Sequence, residues 1–299
     1  MLVDSASLYF RAFHGVKGRV VAPDGTPVNA VRGFLDSLAR LVVDHAPTRL
    51  VCCWDDDWRP AFRVDAIPSY KAHRVADAAD GSEEVPDELA PQVPVIVDVL
   101  AAFGLARVGS PGHEADDVIA TLAARAAVPV DVVTGDRDLF QVVDDTRGVR
   151  VLYTAKGGVA RPEVVTDAVV LERYGVPASA YADLAALRGD PSDGLPGVPG
   201  IGEKTAAALL AAYGSLDGVM RAAQAGDPGV RATLHDKVLA ARDYLAVAPS
   251  VVRVVRDCPL PEVDDSLPPA PADPAALAAL TERWGLGTSV ARLRAALAG

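Results

Sequence analysis

Along the first half of the chain, short apolar runs that end in acids alternate with amphipathic stretches. Leu2 and Val3 lead into Asp4, "RLVCCWD" ends at Asp55, and "PVDVVTGDRD" carries Asp136 and Asp138. Each run reads as a short buried strand, rich in Val and Leu. Between them, "AVRGFLDSLARLVVDH" (30–45), "APQVPVIVDVLAAFG" (90–104) and "EADDVIATLAARAA" (114–127) place apolar residues at helical spacing. Strands alternating with helices predict an α/β fold around a mostly parallel sheet, with functional groups beyond the carboxyl ends of the strands. Acids at three strand ends and one helix start would then meet at one edge.

From about residue 163 the pattern turns helical. "GDPSDGLPGVPGIGEKTAAALLAAYG" (189–214) reads as a Gly/Pro-rich hairpin opening a strong helix at Glu203, and further helices are expected near 215–224 and 231–247. Pro-rich "CPLPEVDDSLPPAPADP" (258–274) predicts a surface crossing before a terminal helical segment. The expected organisation is an α/β core over 1–160 and a helical region over 161–299. Polar, acidic "VADAADGSEEVPDELAPQ" (75–92) predicts a mobile loop that, with the basic stretch before it, forms a lid over about 59–92.

Composition narrows the setting. No apolar run approaches the roughly 20 residues that span a bilayer, and "MLVDSASLYF" has no basic segment before an apolar one, so no secretory signal is expected. Cys52 and Cys53 are adjacent and Cys258 is distant, which is neither a disulfide framework nor a zinc spacing and predicts a reduced cytoplasm. The formal net charge of −11 argues by itself against nucleic-acid binding. That argument weakens if many of the acids surround metal ions.

In "GHEADDVIA" three carboxylates, Glu114, Asp116 and Asp117, occupy four positions where an apolar helix begins. Favourable interaction with the helix dipole explains many such runs. Taken with Asp4, Asp55, Asp136, Asp138, Asp190 and Asp193, the run points instead to a shared site. Like charges gathered there raise one another's pKa unless cations compensate them. Oxygen ligands without His or Cys select hard ions, Mg²⁺ or Mn²⁺, and two such ions about 4 Å apart suit phosphodiester hydrolysis. Singly, each acid reads as a cap or a solvated charge; only together do they point to a metal site.

The stretches "LVDSASLYFRAFHGV", "FRVDAIPSYKAHR", "GHEADDVIATLA", "TGDRDLFQVV" and "GDPSDGLPGVPGIGEKTA" resemble, in order, the motifs of the 5′ nuclease domain of bacterial DNA polymerase I and its flap-endonuclease relatives. The resemblance runs from about residue 2 to 255, and "LTERWGLGTSVARL" resembles that domain's end. It implies a PIN-like flap-endonuclease fold with a helical lid and a helix–three-turn–helix over about 180–214. The implied activity is that of a stand-alone 5′–3′ exonuclease or flap endonuclease using two Mg²⁺ or Mn²⁺ ions. Asp4, Asp55, Glu114, Asp116 and Asp117 would hold or support the first ion, and Asp136, Asp138, Asp190 and Asp193 the second.

By the same resemblance Lys71 and Arg74 would contact the scissile phosphate, Arg11 would add charge there, and Tyr70 would stack on a base, with Arg63 among the DNA-binding cations. A solvated basic turn is the plain alternative for this stretch, and an ion pair with an acid is the alternative for Arg11. The hairpin residues Gly197, Gly200, Ile201, Gly202, Glu203, Lys204 and Thr205 would grip duplex DNA without reading its sequence. Backbone carbonyls of Leu187, Arg188, Pro196, Val198 and Ile201 would hold a K⁺, against the alternative of an ordinary tight turn. Gly194 departs from the family pattern, which has Asn after Ser-Asp. The expected partners are branched or nicked duplex DNA and RNA–DNA primers, with no membrane. A monomer is expected, acting in one pathway with a separate DNA polymerase. An RNase of the PIN type, which usually lacks the hairpin, a catalytically silent DNA-structure-binding protein and a phosphatase built on "DRD" are the competing readings.

Overall fold

The computed structural model describes residues 1–16, 20–77, 82–229 and 231–299. Six strands form the main sheet: β1 (Leu2–Asp4), β2 (Val51–Cys53), β5 (Ala106–Val108), β6 (Val130–Thr134), β7 (Val149–Tyr153) and β8 (Glu163–Val165). Their order is β5-β2-β1-β6-β7-β8, and every pairing is parallel except that of β7 with β8. The sequence pattern marks β1, β2 and β6. It passes over β5, β7 and β8, whose Arg107, Arg150 and Glu163 interrupt any apolar run.

Strand alternation divides two cores between the faces of the sheet. Val3, Cys52, Val133 and Leu152 face helices α1 (Ser5–Gly15), α2 (Asn29–His45) and α4 (Gln92–Phe103), with α12 (Pro274–Trp284) and α13 (Gly287–Leu297) packed outside them. In α2 the buried Val31, Phe34, Leu35, Leu38, Leu41 and Val42 recur at helical spacing, so one stripe of the helix enters this core. Leu2, Cys53, Val132 and Val151 face the other way, onto α5 (Ala115–Arg125). The adjacent Cys52 and Cys53 therefore point to opposite faces, and all three cysteines are buried and unbonded.

The second core continues without interruption into the helical region, through α6 (Asp167–Tyr174), α7 (Tyr181–Arg188), α8 (Glu203–Tyr213), α9 (Leu216–Ala225), α10 (Ala232–Ala240) and α11 (Arg242–Val252). The helical region is thus packed directly on the sheet face beside the strand ends. The 253–273 segment runs without helix across the surface, where Asp265 accepts a hydrogen bond from the Leu50 amide that anchors it at the start of β2. Between β2 and α4 stands an arm with one short helix, α3 (Ala61–Ala66), and a two-stranded ribbon, β3 (Val75–Asp77) and β4 (Ser82–Glu83). Residues 78–81, within the expected lid, lie outside the described residues. Among the described residues no helix is long and apolar enough to cross a membrane.

Candidate active site

β1, β2 and β6 are neighbours in the sheet and run the same way, so their carboxyl ends open on one edge. Asp4 ends β1 and also caps α1, accepting the Ser7 amide at 3.0 Å. Asp55 follows β2 by two residues and accepts the Ala115 amide at 2.8 Å, tying that strand end to the first turn of α5. Asp136 and Asp138 follow β6, and Asp138 opens a 3₁₀ turn. Glu114 is the N-cap of α5, which turns Asp116 to the cleft and Asp117 away from it. Asp190 and Asp193 bracket the 3₁₀ turn Pro191–Asp193, beyond the end of α7.

Asp4, Asp55, Glu114, Asp116, Asp136 and Asp190 line one open cleft of about 580 Å³ together with Arg11, Lys71 and Arg74. That volume is in the range of ligand-binding clefts. Among the described residues no His or Cys lines it. Burial, with Asp55 and Asp136 nearby, raises the Asp4 carboxyl to about 7 against hydrogen bonds from Ser7 and Thr134 that pull it down. Burial, then Asp136 and Asp4, raises Asp116 well above the carboxylate range. Burial, then Asp136, Asp193 and Asp190, does the same to Asp138. The acids thus form two electrostatic groups that share Asp136.

They differ sharply in compensation. Glu114 takes Arg63, Lys71 and the Tyr70 hydroxyl, Asp193 takes Arg74 at 2.9 Å, and Asp190 takes Arg188 at 3.4 Å. No ion pair neutralises Asp4, Asp55, Asp116, Asp136 or Asp138 among the described residues. Buried carboxylates left in this condition protonate or bind cations, and an all-oxygen donor set fits hard divalent ions. Among the described residues no three such side chains already stand close enough to enclose an ion. Open carboxylate ligation completed by several waters, usual for Mg²⁺, does not require a closed cage.

Burial corrects two expected roles, those of Arg63 and Tyr70, and narrows that of Asp117 to support. Arg63 is only 2 % exposed, so it cannot reach a DNA backbone. Its guanidinium grips Asp117 with both nitrogens (2.6 and 2.9 Å), bonds Glu114, and donates from Nε to the Val251 carbonyl at 3.0 Å. Asp117, fully buried, is spent on Arg63 and on the amides of Val255 (2.8 Å) and Glu114 (3.3 Å), so it supports the site without facing it. Tyr70 is 4 % exposed, with its hydroxyl on Glu114 at 2.8 Å, and offers no face to a base. In sequence all three look like their exposed neighbours, because only the packing of the arm against α5 and α11 buries them.

The other cations stay at the cleft. Lys71 bonds Glu114; burial alone would lower its pKa, but Glu114 and the nearby acids hold it well above the usual value. Arg74 reaches the Ser192 carbonyl at 2.8 Å and Asp193. Arg11 donates to the Ala155 carbonyl at 3.1 Å and, among the described residues, pairs with no acid. Several residues at the site escape sequence reasoning: buried Thr134 beneath the cleft, whose hydroxyl bridges Asp4 (2.7 Å) and the Asp136 amide (2.9 Å), and, lining the cleft, Glu83 of the arm ribbon, Phe10, Trp58 and Arg137. For Thr134 a signal existed, a hydroxyl residue at a strand end two positions before an acid.

Beside the cleft, residues 196–202 turn tightly into α8. The Val198 amide bonds the Leu187 carbonyl and the Ile201 amide bonds the Val198 carbonyl, each at 2.9 Å. Gly197 has φ +63, and a Cβ there would stand 2.5 Å from the Arg188 carbonyl oxygen, so only glycine lets the two segments touch. Gly202 caps α8, leaving first-turn amides at Glu203, Lys204 and Thr205 without helical acceptors. The Glu203 side chain pairs with Arg188 at 3.2 Å, and Lys237 of α10 donates to the Gly200 carbonyl at 3.1 Å.

Residues 1–175 match the family described as 5′-3′ exonuclease, N-terminal resolvase-like domain, and residues 176–275 match 5′-3′ exonuclease, C-terminal SAM fold. The chain is 61% identical over 296 residues to a 5′-3′ exonuclease of Streptomyces coelicolor, covering 98% of each. It is 42% identical over 277 residues to DNA polymerase I of Mycobacterium bovis, where 91% of this chain covers 29% of that longer protein. Among solved structures, T5 5′-exonuclease with zinc bound has a TM-score of 0.66 at 20% identity, over 84% of this chain and 88% of that one. The catalytic core of Rad2 with DNA substrate has a TM-score of 0.61 at 17% identity, over 100% and 92%. At those identities the structures speak for the fold, which is the flap-endonuclease one. With both family models matched end to end over residues 1–275, the chain belongs to the 5′-3′ exonuclease family.

Proposed function

We propose that this nuclease hydrolyses phosphodiester bonds at 5′ ends, flaps or RNA primers of branched or nicked duplex DNA, and that it depends on Mg²⁺ or Mn²⁺. The observation that carries the reading is the cleft itself, where Asp4, Asp55, Asp116 and Asp136 lack cationic partners among the described residues and stand beside three basic side chains. Asp4, Asp55, Asp116 and Asp136, with Glu114 behind them, would hold one ion, and Asp136, Asp138, Asp190 and Asp193 the other. When bound, such ions lower the pKa of water and stabilise charge on phosphoryl oxygens.

The chain's own groups do the rest. Arg11, Lys71 and Arg74 stand where the scissile phosphate would enter and offset the negative charge that grows as water adds to phosphorus and the P–O bond breaks. Glu114 keeps the Lys71 ammonium charged and aimed, and Arg63 in turn fixes Glu114. The amides opening α8, with Gly197, Gly200, Ile201, Gly202, Glu203, Lys204 and Thr205 around them, suit backbone phosphates of the duplex, contacts that position without reading bases. Carbonyls of Leu187, Arg188, Pro196, Val198 and Ile201 would hold a K⁺ there. Those of Leu187 and Val198 already accept one amide each and keep a lone pair. A monomer in the bacterial cytoplasm, beside a separate DNA polymerase, is the setting this reading expects.

Cleavage of 5′-labelled flap, nicked and single-stranded DNA, with and without Mg²⁺, tests the proposal. Cleavage should require the metal and favour the duplex junctions. Lys71→Ala should slow single-turnover cleavage by about 10²–10³-fold while junction binding changes little. Metal-independent cleavage, or an unchanged rate in Lys71→Ala, would overturn the reading.

A further inference from the structure

The arm does not merely stand beside the acidic turn; it is fastened to it. The Lys71 amide donates to the Asp193 carbonyl at 3.0 Å, the Ser69 hydroxyl to the Gly194 carbonyl at 2.8 Å, and Arg74 to the Ser192 carbonyl and the Asp193 carboxylate. Lys71 itself has φ +47, one of two non-glycine residues in the left-handed region among those described. A side-chain-bearing residue stays in that region only when its surroundings hold it there, and here the bond to Asp193 does so.

At the centre of this contact is Gly194, with φ +70. A Cβ on it would stand 2.0 Å from the Ser69 carbonyl oxygen, 3.0 Å from the Ser69 carbonyl carbon and 3.5 Å from the Lys71 nitrogen. No real Cβ tolerates the first distance, and the obstacle is backbone, which cannot swing aside like a side-chain tip. Any other residue at 194 must therefore push the Ser69–Lys71 backbone away from the turn that carries Asp190 and Asp193.

We infer that Gly194 is a positioning residue: by lacking a Cβ it lets the arm seat on the acidic turn, and this seating sets where Lys71 and Arg74 stand relative to the carboxylates. The inference rests on the phosphate-contact role given to those two cations above. A displacement near 1 Å of a reacting-centre group costs on the order of a hundredfold in rate.

Gly194→Asn is the informative variant, because Asn tolerates positive φ better than most residues and so isolates the collision from backbone strain. Gly226→Asn is its control. Gly226 has φ +66 at the end of α9, and nothing lies within 4 Å of the site of its absent Cβ. Three readouts are needed: single-turnover cleavage at saturating enzyme, junction affinity in Ca²⁺, and trypsin cutting after Arg74 without DNA. Gly194→Asn should lose about ten- to a hundredfold in rate, keep its affinity within about twofold, and be cut faster at the arm. Gly226→Asn should match the unmodified chain in all three. A wild-type rate in folded Gly194→Asn, or a loss confined to affinity, overturns the inference. Should that variant not fold, Ser69→Ala decides: its rate should drop roughly twofold or more at unchanged affinity, and an unchanged rate overturns the inference. Lys71→Ala run alongside separates the two claims. A fast Lys71→Ala sinks the phosphate-contact reading, whereas a slow one with a fast Gly194→Asn sinks the seating alone.

Discussion

At the scale of single residues, the site sets function against stability. Burial makes the Asp116 charge costly, and Asp136, Asp4 and Glu114 crowd it further. Asp116→Asn should therefore abolish cleavage while raising the melting temperature of chelator-treated protein by about 2–4 °C. Calorimetry in EDTA beside a flap-cleavage assay checks both halves, and a lower melting temperature would contradict the repulsion argument. Arg63 behaves in the opposite way. Its removal strands Asp117, fully buried, without a counter-ion. Arg63→Met should destabilise the chain by about 3–5 kcal/mol in urea unfolding. A near-neutral result would contradict the counter-ion role given to Arg63.

Elements supply what residues cannot, which is direction. Asp4 is a strand end and a helix cap at once, so α1 leaves β1 with its first amides around that carboxylate. The turn from α7 into α8 brings carbonyls and amides to opposite sides of one small loop, as bonds from Val198 to Leu187 and from Ile201 to Val198 require. If that loop takes a K⁺, junction affinity measured in Ca²⁺ at constant ionic strength should fall when K⁺ is replaced by a bulky organic cation. Equal affinity in both salts would leave the loop an ordinary tight turn, with Lys237 on Gly200 as its cation.

Over the whole molecule, the uncompensated acids predict how stability follows pH. Asp4 titrates at about 7 in the fold against an ordinary 3.8, and a carboxyl raised in this way favours the folded state when protonated. Its contribution is complete below the ordinary value and is lost as pH climbs through the raised one. In EDTA the melting temperature should therefore fall between about pH 4 and about pH 7, before levelling off. Saturating Mg²⁺ should raise the curve and flatten it, because ions bind the ionised form. A metal-free profile that rises over this window would refute the acid assignment. The same cluster explains how a chain of net charge −11 can be built to meet DNA: much of that charge is gathered in one cleft, while basic side chains and free amides rim it.

Some of this was written in local pattern. Strands β1, β2 and β6 and helices α2, α4, α5 and α8 follow from runs and periodicity, because a short apolar run or a 3.6-residue stripe has few other ways to bury itself. That three strands end in acids, and that a Gly/Pro turn opens a helix, is equally local. Whether a charged residue faces water, a partner or a site is not local. Arg63 and Arg74 share one basic stretch, yet α11 and α5 close over the first and leave the second at the cleft. Tyr70 and Lys71 are adjacent, and the fold sends one ring inward and keeps one ammonium at the rim. Gly194 reads in sequence as a missing side chain, and becomes a requirement only once the Ser69 carbonyl, 125 positions away, comes to rest against it. Periodicity records which face of an element is apolar. Which distant segment covers that face is decided by packing, and the chemistry of this site depends on it.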